Sequence, residues 1–175
     1  MLLITGNKNK VREFEEILDC KIDSQSLNIE EIQEVLVEKV SENKVRKAYE
    51  ILKKPVLVED TGLIFEELHG LPGALIKWFE EKLSYEEICN LIKENRNATS
   101  KICVSYFDGK DLKQFIGEVK GKIADFPKGE NGFGWDKIFI PEGYDKTFAE
   151  MDSNQKNSLS MRKIALEKLK KELWK

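Results

Sequence analysis

Several stretches of this 175-residue chain gather side chains of the kinds that handle phosphate, metal and flat rings. The first is Thr5-Gly6-Asn7-Lys8-Asn9-Lys10, a polar turn with two lysines, set between the apolar run Leu2-Leu3-Ile4 and apolar residues that return at helical spacing. A strand feeding a helix through such a turn aims backbone N–H groups and lysines at one spot, which is how helix N-termini hold anions. It is not the Gly-rich loop ending in Gly-Lys-Ser/Thr, so an ordinary strand–turn–helix remains the alternative. The second is Glu59-Asp60-Thr61, two acids and a hydroxyl after the apolar Val56-Leu57-Val58. Read as the carboxyl end of a buried strand, where α/β sheets place ligands, the carboxylate pair could hold a divalent cation and orient water; otherwise it is a solvated turn. The third is Phe133-Gly134-Trp135-Asp136 in a glycine-rich loop, suited either to core packing or to stacking a flat base. The fourth is Arg162, which shares a helical stripe with Leu159, Leu166, Leu169 and Leu173. An inward arginine needs acceptors, either a base carbonyl or internal acids.

Composition narrows the chemistry. Histidine occurs once, at His69 in a turn, so Ser-His-Asp catalysis and histidine-based zinc sites have almost no material. Cys20, Cys89 and Cys103 are scattered without CxxC spacing and read as reduced thiols. Acid–base and metal work therefore falls to carboxylates, whose oxygens favour magnesium or manganese. A net charge of −3 argues against a general nucleic-acid binder. No apolar run reaches the roughly 18 residues of a membrane span, and the N-terminus lacks signal-peptide features, so a cytoplasmic protein with no membrane partner is expected.

The elements that must position these groups follow from periodicity and breakers. Val11, Phe14, Ile17 and Leu18 mark a helix face, and a second helix is predicted over residues 37 to 53, stopped by Pro55. Residues 21 to 29 read as a short strand or extended segment, followed by polar loop to Gln33. Gly70-Leu71-Pro72-Gly73 is a turn. Ser84 with Glu87 forms a capping box. Residues 102–107 and 113–124 form a hairpin around Asp108-Gly109. Ile138-Phe139-Ile140 is a further strand, and one last helix is expected from about Ser158 onward.

These pieces, in this order, match one family. Thr5-Gly6-Asn7-x-x-Lys10-x-x-Glu13, Val58-Glu59-Asp60-Thr61-Gly62-Leu63, Gly70-Leu71-Pro72-Gly73, Phe133-Gly134-Trp135-Asp136 and Thr147-Phe148-Ala149-Glu150-Met151 with the Lys-Asn-Ser after it resemble the inosine triphosphate pyrophosphatases. The resemblance runs from residue 2 to about residue 170, and Ile76-Lys77-Trp78-Phe79-Glu80-Glu81-Lys82-Leu83 is similar to the eukaryotic branch. It implies a mixed α/β fold: one domain, 1–175, with an elongated twisted mixed sheet flanked by helices and two lobes around a central cleft. It also implies a homodimer.

The resemblance further implies hydrolysis of nonstandard purine nucleoside triphosphates (ITP, dITP, XTP) to monophosphate and pyrophosphate, with Mg2+ or Mn2+. Thr5, Gly6, Asn7, Lys8, Asn9 and Lys10 would cradle the triphosphate. Glu31 and Asp60 would bind the metal, with Asp60 also the base and Lys10 assisting catalysis. Lys44, Thr61 and Lys77 would contact substrate. Phe133 would stack on the base, with Gly134, Trp135 and Asp136 shaping its pocket and Lys156, Met161 and Arg162 reaching it from the C-terminal segment. One departure stands out: Ser160-Met161-Arg162 replaces the family's Ser-His-Arg, which removes an imidazole. Two alternatives stay open, a Maf-like pyrophosphatase of other modified nucleotides and a non-catalytic nucleotide-binding protein.

Overall fold

A computed structural model describes residues 1–173; the last two residues of the expected 1–175 domain lie outside the described residues. The chain runs β1 (Leu2–Ile4), α1 (Lys8–Leu18), β2 (Asp23–Gln25), α2 (Val37–Leu52), β3 (Val56–Phe65), β4 (Pro72–Gly73), α3 (Ile76–Lys82) and α4 (Tyr85–Leu91). It continues through β5 (Asn97–Phe107), β6 (Leu112–Ile123), β7 (Phe139–Pro141), α5 (Ser153–Leu159) and α6 (Met161–Leu173), with short 3-10 turns at Gly134–Lys137 and Phe148–Glu150.

The strands form one mixed seven-stranded sheet in the order β2-β1-β3-β5-β6-β7, with β4 paired to β3. β1 is parallel to β2 and β3, whereas β3, β5, β6 and β7 pair antiparallel. The β3–β5 register is unbroken from Val56↔Phe107 to Phe65↔Ala98. Side chains therefore alternate strictly between faces. Leu57 and Leu63 enter the larger core, which α1 and α6 cover with Phe14, Leu166 and Leu169. Val56 and Val58 enter a smaller core with Val45 and Ala48 of α2. Burying each such valine or leucine contributes about 1.5–3 kcal/mol before entropy is charged.

Two expectations need correction. The acids do not end a strand: Glu59 and Asp60 sit in the middle of the ten-residue β3, because apolar residues resume after Gly62 and pairing to β5 continues. Nor is there one last helix from Ser158. Ser160 is extended at ψ 152°, and its Oγ accepts the Lys163 N–H at 3.3 Å, so it ends α5 and caps α6. Gly117 of β6 fixes where α6 starts, since a Cβ there would lie 1.9 Å from the Met161 carbonyl oxygen.

Among the described residues no helix is long and apolar enough to cross a membrane. His69 is exposed, as is Cys20, while Cys89 and Cys103 are buried.

Candidate active site

The site follows from an interruption in the sheet. β1 covers one edge of β3 only at Val56 and Leu57, and β4 covers it again only at Leu63 and Ile64. Between them, residues 58–62 keep β5 on one side and, among the described residues, no strand on the other. A cleft of about 900 Å³ opens along this edge, within the range of small-molecule sites.

Because strand neighbours project to opposite faces, Glu59 and Asp60 do not act as a carboxylate pair. Glu59 points toward α1 and α6, where its Oε1 and Oε2 accept from Arg162 Nη2 and Nε at 2.8 and 2.9 Å. Lys10 Nζ lies 3.1 Å from the same Oε1. Burial alone would raise the Glu59 pKa, but Arg162 and then Lys10 outweigh it and hold the group at about 2. Arg162 also bonds Glu13, whose other oxygen accepts from Lys156 Nζ at 2.7 Å. Lys156 in turn reaches Asp136 Oδ2 at 2.6 Å. Three acids and three cations thus neutralise one another beneath the cleft, and Glu13, Glu59, Asp136, Lys156 and Arg162 are all buried. The arginine on the leucine stripe has found internal acids. Its guanidinium has five N–H groups and spends three here, leaving one on each terminal nitrogen.

Asp60 faces the other way, toward Lys44 of α2. Its Oδ2 is buried and accepts from no donor among the described residues. Burial pushes its pKa up to about 7, against the pull of Lys10 and Lys44. Glu31 is brought to the same side by the loop between β2 and α2, which Ala74 N–H, Trp78 Nε1 and Lys47 Nζ hold at Val35 O, Gln33 Oε1 and Glu30 O, at 2.9, 2.6 and 2.9 Å. Burial opposes ionisation of Glu31, but Lys44, hydrogen-bonded to it, wins and lowers its pKa.

An orphaned buried carboxylate oxygen beside a second carboxylate, with only oxygen donors, fits a hard divalent cation. No group of three or more His, Cys, Asp or Glu capable of holding a metal occurs among the described residues. Two protein carboxylates, completed by water and phosphate oxygens, are what magnesium commonly takes.

At the end of the cleft formed by the start of α1, Asn7 caps the helix, its Oδ1 accepting from Asn9 and Lys10 N–H at 2.9 and 3.4 Å, while Thr5 Oγ1 accepts from Asn7 N–H at 3.1 Å. Thr5, Gly6, Asn7 and Lys10 line the cleft; Lys8 and Asn9 do not. Lys44, Thr61 and Lys77 line it from α2, β3 and α3. At the far end, the Phe133 backbone N–H donates to Asp136 Oδ2 at 2.8 Å, which fixes the turn carrying Gly134 and Trp135. Lys156 Nζ lies 4.7 Å from the Phe133 ring centroid. Met161 and Arg162, at the start of α6, close this end.

Sixteen of the eighteen residues expected at the site therefore line one cleft. Sequence reasoning assigned no role to Glu13 or Glu80, because a glutamate on a helix usually faces solvent. Glu13 stood in the sequence as the last position of the motif Thr5-Gly6-Asn7-x-x-Lys10-x-x-Glu13, without a role attached.

The Ham1 family profile matches residues 1–172. A protein of Yarrowia lipolytica named inosine triphosphate pyrophosphatase is 44% identical over 97% of this chain and 93% of its own length. A Ham1 protein structure from Coxiella burnetii superposes with a TM-score of 0.86 at 28% identity, covering 99% of this chain and 97% of that one. A Mycobacterium abscessus structure titled nucleoside-triphosphatase / dITP/XTP pyrophosphatase gives a TM-score of 0.74 at 26% identity, covering 96% and 97%.

Proposed function

The chain belongs to the Ham1 family, and on that premise we propose that its cleft hydrolyses nonstandard purine nucleoside triphosphates such as ITP, dITP and XTP to monophosphate and pyrophosphate. The observation that carries this reading is Asp60, an orphaned carboxylate on the open edge of β3, set between a lysine-lined end and an aromatic end of one cleft.

Phosphoryl transfer asks mainly for positioning and charge neutralisation. Lys10, Lys44 and Lys77 offset triphosphate charge, with Thr5, Gly6 and Asn7 shaping the turn that receives it, while Lys8 and Asn9 stay outside the cleft wall. A magnesium or manganese ion held by Glu31 and Asp60 would supply Lewis-acid withdrawal of charge from the reacting phosphate. Asp60 orients a water on the substrate side and, as the carboxylate that faces it, takes its proton. Thr61, its neighbour on β3, contacts substrate from the same edge.

Phe133 stacks on the base, whose 6-keto oxygen meets the N–H groups that Arg162 keeps free. Glu59 and Glu13 fix that guanidinium, and Lys156 with Asp136 fixes the Phe133 turn. Adenine presents a reversed donor–acceptor edge and leaves buried groups unpaired, at about 1–3 kcal/mol each. Met161 stands where the family's imidazole would be and offers an apolar wall instead.

The reading includes a single domain, a cytoplasmic location and a homodimer, the last testable by elution near twice the 20.3 kDa of one chain. Product analysis tests the chemistry: dITP with magnesium should yield dIMP and pyrophosphate, and Asp60→Asn should abolish both. Release of diphosphate and inorganic phosphate would overturn it.

A further inference from the structure

Glu80 lies on α3 and lines the cleft, and nothing in the chemistry above uses it. Its carboxyl does not turn to solvent. Oε1 accepts from the Tyr85 hydroxyl at 2.9 Å, a residue in the first turn of α4. The same carboxyl lies against the turn that carries Phe133: a Cβ on Gly134 would sit 3.0 Å from Oε1. Gly134 has φ +60°, so the turn combines a backbone conformation that favours glycine with a close approach that a side chain would crowd. The Trp135 backbone N–H also faces the carboxyl.

We propose that Glu80 is a positioning residue for base binding, bracing the Phe133–Trp135 turn against α3 and α4 through Tyr85. The brace joins the two ends of the cleft. Lys77, at the phosphate end, lies three residues before Glu80 on the same helix, and Gly134 is next to the stacking ring. A group that holds the base turn in place lowers the cost of ordering it when substrate arrives, so its loss appears mainly in binding. Burial, with the nearby Asp136 carboxylate adding to it, raises the Glu80 pKa despite the Tyr85 bond, as befits a group shielded from solvent. The inference rests on the nucleotide reading of the cleft for its kinetic consequence but not for its structural one.

The test uses the full chain as Glu80→Leu, Glu80→Gln and Tyr85→Phe. Glutamine keeps an acceptor oxygen for Tyr85 and Trp135, and leucine keeps neither. Glu80→Leu should raise KM for dITP about tenfold with kcat within about twofold, Glu80→Gln should stay within about threefold of wild type, and Tyr85→Phe should fall between. Independently of substrate, amide exchange at Trp135 should accelerate at least about tenfold in Glu80→Leu and stay near wild type in Glu80→Gln. If Glu80→Leu leaves KM and Trp135 exchange within twofold of wild type, or if Glu80→Gln is as impaired as Glu80→Leu, the brace is wrong. If Glu80→Leu fails to fold, Glu80→Gln and Tyr85→Phe carry the comparison, and wild-type KM in Tyr85→Phe overturns the brace. Absence of pyrophosphate release by the wild type would overturn the nucleotide reading instead, leaving the exchange experiment to decide the brace.

Discussion

Replacing Arg162 with methionine should cost the fold more than any surface change. Its guanidinium is buried and holds Glu59 through two hydrogen bonds of 2.8 and 2.9 Å, with a third to Glu13. A carboxyl held at about 2 instead of its ordinary 4.5 favours the folded state by about 3 kcal/mol at neutral pH, at about 1.4 kcal/mol per tenfold change in proton affinity. Removing one partner of a buried pair costs about 3–5 kcal/mol in comparable cases. Each kcal/mol moves the melting point of a chain this size by about 2–4 °C, so Arg162→Met should melt about 10 °C lower at pH 7. Adding Glu59→Gln to it should recover about half of the loss, because one stranded charge is then gone. Since the folded pKa of Glu59 is depressed, its contribution is complete above about pH 4.5 and drains as pH falls toward 2. The gap between wild type and Arg162→Met should narrow accordingly below pH 4.5. Thermal melts in chelator across pH 3.5–7 check this. A loss under 2 °C at pH 7, or a gap that does not narrow in acid, would refute the reasoning.

Two further perturbations separate position from chemistry. Asp60→Asn should raise the metal-free melting point by about 3–8 °C at pH 8: burial lifts the Asp60 pKa to about 7, so ionisation above that value destabilises the fold, and the gain should shrink as pH falls toward 4. Gly117→Ala should lower the melting point by about 3–10 °C and weaken dITP binding, since the new Cβ would meet the Met161 carbonyl at 1.9 Å and push the start of α6 from the cleft.

Much of the fold was legible because local signals agreed. The α2 prediction of 37–53 matches Val37–Leu52, since valines at helical spacing and Pro55 pointed the same way. The β5–β6 hairpin around Asp108-Gly109 and the Ser84–Glu87 capping box were legible for the same reason. The β3 error arose because acids in a buried strand look like its end. Only the missing neighbour between β1 and β4 gives Asp60 an open edge, and strand pairing is not written in local sequence. The break at Ser160 left a trace, a serine at an N-cap, that the continuous leucine stripe masked. Arg162 advertised its need for acceptors through the stripe, but Glu13 and Glu59, separated from it by 149 and 103 residues, could be paired with it only by the fold. Lys8 and Asn9 look like cleft residues by adjacency, yet the helix turns them away from it.

The central claim is that this cleft reads the 6-keto edge of a purine triphosphate. The direct measurement is kcat/KM for dITP against dATP with saturating magnesium. Two mismatched groups at about 1–3 kcal/mol each predict a preference for dITP of at least about 30-fold. Equal turnover of the two nucleotides, or a preference for dATP, would contradict it.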